Sequence, residues 1–233
     1  MQKKVKLKTE KLKREKMLKR VLLIALVLIL FLLLILYIVV GIIYNRGNFS
    51  ITLDKNLYFD RGLIIYDDPL YKVYRSELLA PAPETFDNIS YRWLPTDIAN
   101  QEGGSHNGDN YLAYTFYVEN TGDDVTDYWS EVVIDDIIRN VDEAVRIRVY
   151  KNGEATTYAK LSTLGEPEPG TVPFENPDEN LVALDHVASF GPGQVDKYTI
   201  VIWVEGSDLE CTDNILGGEF QVHMNFNSEI DDE

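Results

Sequence analysis

One grouping of potential ligands in this 233-residue chain is Asp208, Glu210, Asp213 and Asn214, set around Cys211. Carboxylates and amides crowded this closely are the oxygen donors a hard cation such as calcium takes, provided several converge from one tight loop. Glu102 and Asp109, with the amides near them, form a second such grouping. Neither follows the regular spacing of a calcium loop, so solvated acidic loops are the plainer expectation and bound calcium the sharper one. Asp135 and Asp136 are adjacent carboxylates. On a strand they point to opposite faces, which disfavours a paired acid–base role. His106, His186 and His223 are far apart and show no helical His-Glu-x-x-His spacing for zinc. With no Ser-His-Asp spacing, phosphate loop or nucleotide fingerprint either, no catalytic or cofactor-binding residue is assigned.

One motif is misleading. Leu216–Phe220, LGGEF, resembles the Gly-Gly-Asp/Glu-Glu-Phe signature of diguanylate cyclases but is one acidic residue short. It leaves no room for that domain to follow, so its glycines are read as a turn into the last strand.

The elements that must position these residues follow from hydrophobic periodicity. In Glu219–Asn227, EFQVHMNFN, apolar Phe220, Val222, Met224 and Phe226 alternate with polar Gln221, His223, Asn225 and Asn227. That predicts a half-buried strand with His223 on the polar face. Lys197–Val204, KYTIVIWV, predicts a core strand holding Trp203, entered from the turn Gly191-Pro192-Gly193. Tyr111–Glu119 predicts an aromatic strand ending at Asn120-Thr121-Gly122, and Trp129–Ile138 a β-branched one. Arg146–Tyr150 and Thr156–Ala159 flank Asn152-Gly153, the strongest short-range hairpin signal. FSITL and GLIIY add short strands near the start of the domain, and two long loops, 79–110 and 165–180, separate the rest. Many strands with turn signals and no alternating helices predict one mostly β domain, a β-sandwich, over residues 45–233.

Charge divides the chain. Residues 1–20 hold ten Lys/Arg against Glu10 and Glu15, a net of +8. Of the chain's 22 basic and 38 acidic residues this leaves 12 and 36 beyond residue 20, a net of −24. So acidic a domain repels nucleic acid and anionic lipid. Between the two regions, Val21–Tyr44 is an uncharged run of 24 residues. A bilayer core of about 30 Å needs about 20. A cleavable signal peptide has a shorter apolar region, about 7–15 residues, so a retained transmembrane anchor is expected, although Gly41 with Val39 offers a cut site. The cations ahead of the run place the N-terminus in the cytoplasm and the β domain outside. Cys211 is the sole cysteine, so no intrachain disulfide staples that domain. An exported domain without disulfides suits a Gram-positive cell, and the thiol is expected to be buried and inert rather than a cross-link.

The run Phe190–Phe226 resembles the closing strands of Gram-positive exported proteins of the TasA/camelysin type. Its shared features are a proline-glycine turn, an apolar strand ending in Trp-hydrophobic-Glu-Gly, an acidic loop and a last strand. YLAYTFYVENTG at Tyr111–Gly122 is similar to their Asn-Thr-Gly-terminated strand. The resemblance covers about a quarter of the chain and implies a jelly-roll sandwich on the cell surface, in some members assembled into matrix fibres. The long apolar helix departs from their cleaved signal peptide, and no motif carries over the proteolysis of camelysin-like members. The expected function is therefore a non-enzymatic, membrane-anchored surface protein, structural or adhesive in the envelope and partnered by lipid, by itself or by another envelope protein. A ligand-binding or sensing ectodomain working with a membrane partner is the alternative, and an envelope metalloprotease the third reading.

Overall fold

The computed structural model describes residues 2–44, 49–81, 83, 85 and 87–228, and the chain divides into two units, Met1–Arg46 and Gly47–Glu233. In the first unit a single helix, α1 (Gln2–Tyr44), contains both the basic tail and the apolar run. The tail is rich in Lys, Leu, Glu and Arg, all good helix formers, so nothing breaks the helix at the charge boundary. Its window Lys16–Val39 has a mean hydropathy of 3.5 and is long and apolar enough to cross a membrane, as an anchor or as a signal sequence.

The second unit is mostly β. Five strands form one sheet in the order β10 (Leu181–Phe190), β6 (Thr126–Asp135), β12 (Gln221–Asn227), β1 (Phe49–Leu53) and β3 (Glu77–Ala80). The other sheet runs β2 (Leu63–Tyr66), β5 (Leu112–Asn120), β11 (Val195–Val204), β7 (Val145–Lys151), β8 (Glu154–Ala159) and β9 (Val172–Pro173). A two-residue strand, β4 (Gly104–Ser105), also pairs with β5. β1 lies parallel to β12, which zips the domain's first strand to its last, and the short helix α2 (Lys55–Arg61) links β1 to β2.

The sheets share one core. Phe116 and Tyr198 from one sheet meet Phe226 from the other at ring separations of 5.9 and 5.4 Å. Burying one such aromatic stabilises the fold by about 1.5–3 kcal/mol. Two polar contacts bolt the same place: Tyr128 Oη donates to Asp196 at 2.5 Å and lies 3.0 Å from Tyr198 Oη. Burial and the neighbouring tyrosine drive the Tyr128 phenol far above its ordinary pKa, so it stays a donor.

Most strand readings match these elements. Val222, Met224 and Phe226 are buried while His223, Asn225 and Asn227 face outward, as the alternation predicts, and half-buried Phe220 packs on the core. The hairpin turn has positive φ at Asn152 (53°) and Gly153 (90°), which suits Asn-Gly. At the end of β5, buried Asn120 holds the turn by donating to the Asp124 and Phe190 carbonyls while accepting from Gly122 N. A Cβ on Gly122 would stand 2.4 Å from the Arg61 carbonyl, so only glycine fits that crossing.

One reading needs correction, and two features lie beyond what the sequence pattern shows. The strand expected over Trp129–Ile138 is Thr126–Asp135; the chain turns away at Asp136, where φ is +46°. β10 was not foreseen, because register shifts near both of its ends spoil the period-2 pattern. Trp203 is buried (1% exposed), but not between the sheets. It lies on the outer face of its sheet, in a second core with Ile89, Leu94, Ile98, Ala113 and Val201. The long loop makes this core: its segment 87–100 folds over the sheet, and Ile89 N–H and C=O bond Val204 O and Gly206 N, each at 2.9 Å.

Candidate functional site

Val145, Ile147 and Val149 alternate along β7 with Arg146 and Arg148. Val145 and Ile147 enter the inter-sheet core, so both guanidiniums fall on the outer face beside Trp203. There, residues of segments 162–171 and 205–215, with Tyr91 and Arg92, line a groove of about 1460 Å³.

Arg146 is the floor of the groove, 3% exposed. Its Nη2 donates to Asp208 and, at 3.1 Å, to Glu168. Glu210 closes the group: its backbone N–H donates to Asp208 at 2.8 Å, and its Oε1 accepts from Thr163 N and Oγ1. Glu210 Oε2 is buried without a hydrogen-bond partner among the described residues. One oxygen from each of Glu168, Asp208 and Glu210 lies within 4.8 Å of the others. Burial, then the Asp208 charge, pushes Glu168 above the ordinary carboxylate range against the pull of Arg146. Burial, then the neighbouring Glu210, likewise raise Asp208, while Asp208 and then the Thr163 donors pull Glu210 down.

The structure brings only half of the predicted calcium set together. Asp208 and Glu210 converge with Glu168, which lies some forty residues earlier in sequence. Asp213 and Asn214 sit exposed on the next turn, outside the group. The cation already between the carboxylates is Arg146. Glu102 and Asp109 are both exposed and join no group of potential ligands among the described residues. Asp135 ends β6 and contacts His223 Nδ1 at 2.5 Å. His186 stacks on Trp129 at 4.3 Å, and His106 Nδ1 lies 3.1 Å from the Gly104 carbonyl, so the three histidines occupy separate places. Cys211 is half-buried against the core; burial and the charges of Asp208 and Glu205 raise its pKa and suppress the thiolate.

A second carboxylate organises the groove's other wall. Glu205, 5% exposed, accepts from Trp203 Nε1 (3.0 Å), Tyr91 N (2.9 Å), Ser207 N (3.2 Å) and Ser207 Oγ (2.7 Å). Burial pushes its pKa up, but these donors outweigh it and hold the carboxylate ionised below its usual range. Sequence reading passed over this wall. The available signal was Arg-x-Arg in register with a strand's core face, which marks paired charges on the opposite side.

No protein-family model matches the chain, and no curated protein matches it in sequence. Among solved structures, a β-glucosidase from Kluyveromyces marxianus in complex with glucose is similar over 73% of this chain and 16% of its own, at 12% identity and a TM-score of 0.26. A selenomethionine-labelled structure of β-glucosidase from the same organism matches over 53% and 12%, at 15% identity and a TM-score of 0.25. The chain spans under a fifth of the length of either, and similarity at these TM-scores carries no argument about function.

Proposed function

We propose that this chain is a non-enzymatic, single-pass surface protein of a Gram-positive envelope, with a structural or adhesive role. The observation that carries the reading is the run of 24 uncharged residues behind ten cations, followed at once by a mostly β unit with a core of its own. In this reading the basic tail is cytoplasmic, α1 is retained as the anchor and the acidic domain stands outside. The repeated passage of the chain between two sheets, β5 to β6 and β10 to β11 to β12, fits the jelly-roll sandwich that the TasA/camelysin resemblance implies. Matrix assembly through self-association is part of that proposal.

A second reading, a ligand-binding ectodomain, is favoured by the groove beside Trp203. For an envelope metalloprotease there is less support, since among the described residues no group of potential metal ligands contains a histidine. Protease shaving of intact cells tests the topology. The β domain should be lost while the N-terminal tail survives; a tag at Glu233 that is cut only after lysis overturns the reading. Cross-linking on intact cells then separates the roles, with oligomers supporting the structural one and monomers the ligand-binding one.

A further inference from the structure

Beyond residue 20 carboxylates outnumber cations three to one, yet Arg61, Arg75, Arg92, Arg139 and Arg148 make no ion pair among the described residues, so what matters is which arginines are grouped and held in place. Four line this groove, and only Arg146 has an acidic partner. Arg148 is half-buried and held in place: its guanidinium lies 5.1 Å above the Trp203 ring and its Nε donates to Thr157 Oγ1 at 2.7 Å. Arg92 lies over the Tyr91 ring and donates to its hydroxyl at 3.3 Å. Arg139 donates to the Leu216 carbonyl at 2.7 Å. None of these three makes an ion pair with a carboxylate among the described residues.

Six carboxylates line the groove, Glu143, Glu166, Glu168, Glu205, Asp208 and Glu210, and none makes an ion pair with these three arginines among the described residues. Glu168 and Asp208 are bound to Arg146, Glu205 to Trp203, Tyr91 and Ser207, and Glu210 to Thr163. An arginine stacked on an aromatic ring with free donors is a pre-organised receptor for a carboxylate or phosphate. Around it the groove presents hydroxyls. Thr171 and Ser207 give their protons to the Glu168 carbonyl and to Glu205 and offer lone pairs, while Thr157 and Ser162, which accept from Arg148 Nε and Glu166 N, have a proton to donate. On the turn that carries Arg92, one residue beyond the groove's lining, Trp93 stands 74% exposed, a flat apolar surface suited to the C–H face of a sugar ring. At about 1460 Å³ the groove exceeds the usual 300–1,000 Å³ of small-molecule pockets and has room for an extended chain.

The net charge of −24 narrows the ligand further, because its field repels a densely charged polyanion before contact. We infer that the groove binds an envelope oligosaccharide bearing isolated acidic groups, a carboxylate or phosphate on an otherwise neutral sugar chain. This deepens the ligand-binding reading of the same groove and rests on it. Arg148 and Arg92 take the acidic group, and Trp93 takes a neighbouring ring.

The test is calorimetric titration of the full chain in lipid nanodiscs, which reads binding whatever the topology on cells. The probes are xylotetraose, a xylo-oligosaccharide with one glucuronate, a singly phosphorylated maltotetraose, polygalacturonate and tetraglutamate. Either singly charged sugar should bind more tightly than xylotetraose, and comparing the two separates carboxylate from phosphate. Arg148→Gln and Arg92→Gln should each weaken that binding about tenfold or more, the loss of one charge-assisted contact. Arg92 is exposed, so Arg92→Gln decides the matter if Arg148→Gln lowers the melting temperature. Equal binding of xylotetraose, tighter binding of polygalacturonate, binding of tetraglutamate alone, or no binding at all would each overturn the inference.

Discussion

Replacing Glu205 with Gln tests how the outer core is held. The carboxylate receives four hydrogen bonds, two on each oxygen: Trp203 Nε1 and Tyr91 N on Oε2, Ser207 N and Oγ on Oε1. An amide keeps one acceptor and turns the other into a donor. The best Gln rotamer keeps Trp203 and Tyr91, lets the Ser207 hydroxyl rotate to accept, and leaves Ser207 N–H facing an NH₂ group. That orphaned backbone donor costs about 1–3 kcal/mol, and the bonds that remain lose their charge assistance. The expected destabilisation at pH 7 is therefore about 2–4 kcal/mol. The pH dependence supplies the sign. Glu205 is depressed in the folded state, so its stabilisation is present above the unfolded carboxylate value of about 4.3 and is lost as pH falls through the lower folded value. The gap between wild type and Glu205→Gln should be widest near neutrality and shrink in acid. Urea unfolding of the full chain in detergent, followed by tryptophan fluorescence at pH 7 and pH 3.5, measures both. A change under about 0.5 kcal/mol at pH 7, or a gap equally large in acid, would refute the account.

Two further outcomes follow from the same geometry. Arg146→Leu leaves the carboxylates of Asp208 and Glu168 without their cation, which should cost about 3–5 kcal/mol. Millimolar calcium should then raise the melting temperature of Arg146→Leu and not of the wild type; a wild-type shift reversed by chelator would show that a metal binds beside the guanidinium. Phe226→Ala, in the core between the sheets, should cost about 3–5 kcal/mol. His223→Ala, which loses only the partly exposed contact with Asp135, should cost under about 1 kcal/mol in the same denaturant titration; the reverse order would put the strand's phase wrong by one residue.

Wherever information was local, the sequence sufficed. An uncharged run of membrane length needs no partner to be recognised, and the Asn152-Gly153 turn depends only on backbone freedom at two residues. In β12 one face is apolar and the other polar, so alternation alone assigned Val222 inward and His223 outward. β11 gave no such phase. It is apolar on both sides because both are buried, one by the opposite sheet and one by the segment 87–100, so periodicity could not tell which core Trp203 enters. The groove was equally hidden. Its floor joins Arg146 on β7 to Glu168 and Asp208 on two later loops, and nothing in their sequence spacing says they meet. Composition made Asp208, Glu210, Asp213 and Asn214 look like one cluster, yet loop geometry kept two of them and turned the others to solvent. Which carboxylates share a cation is a matter of distance in space, and only the packing of loops on the sheet fixes that distance.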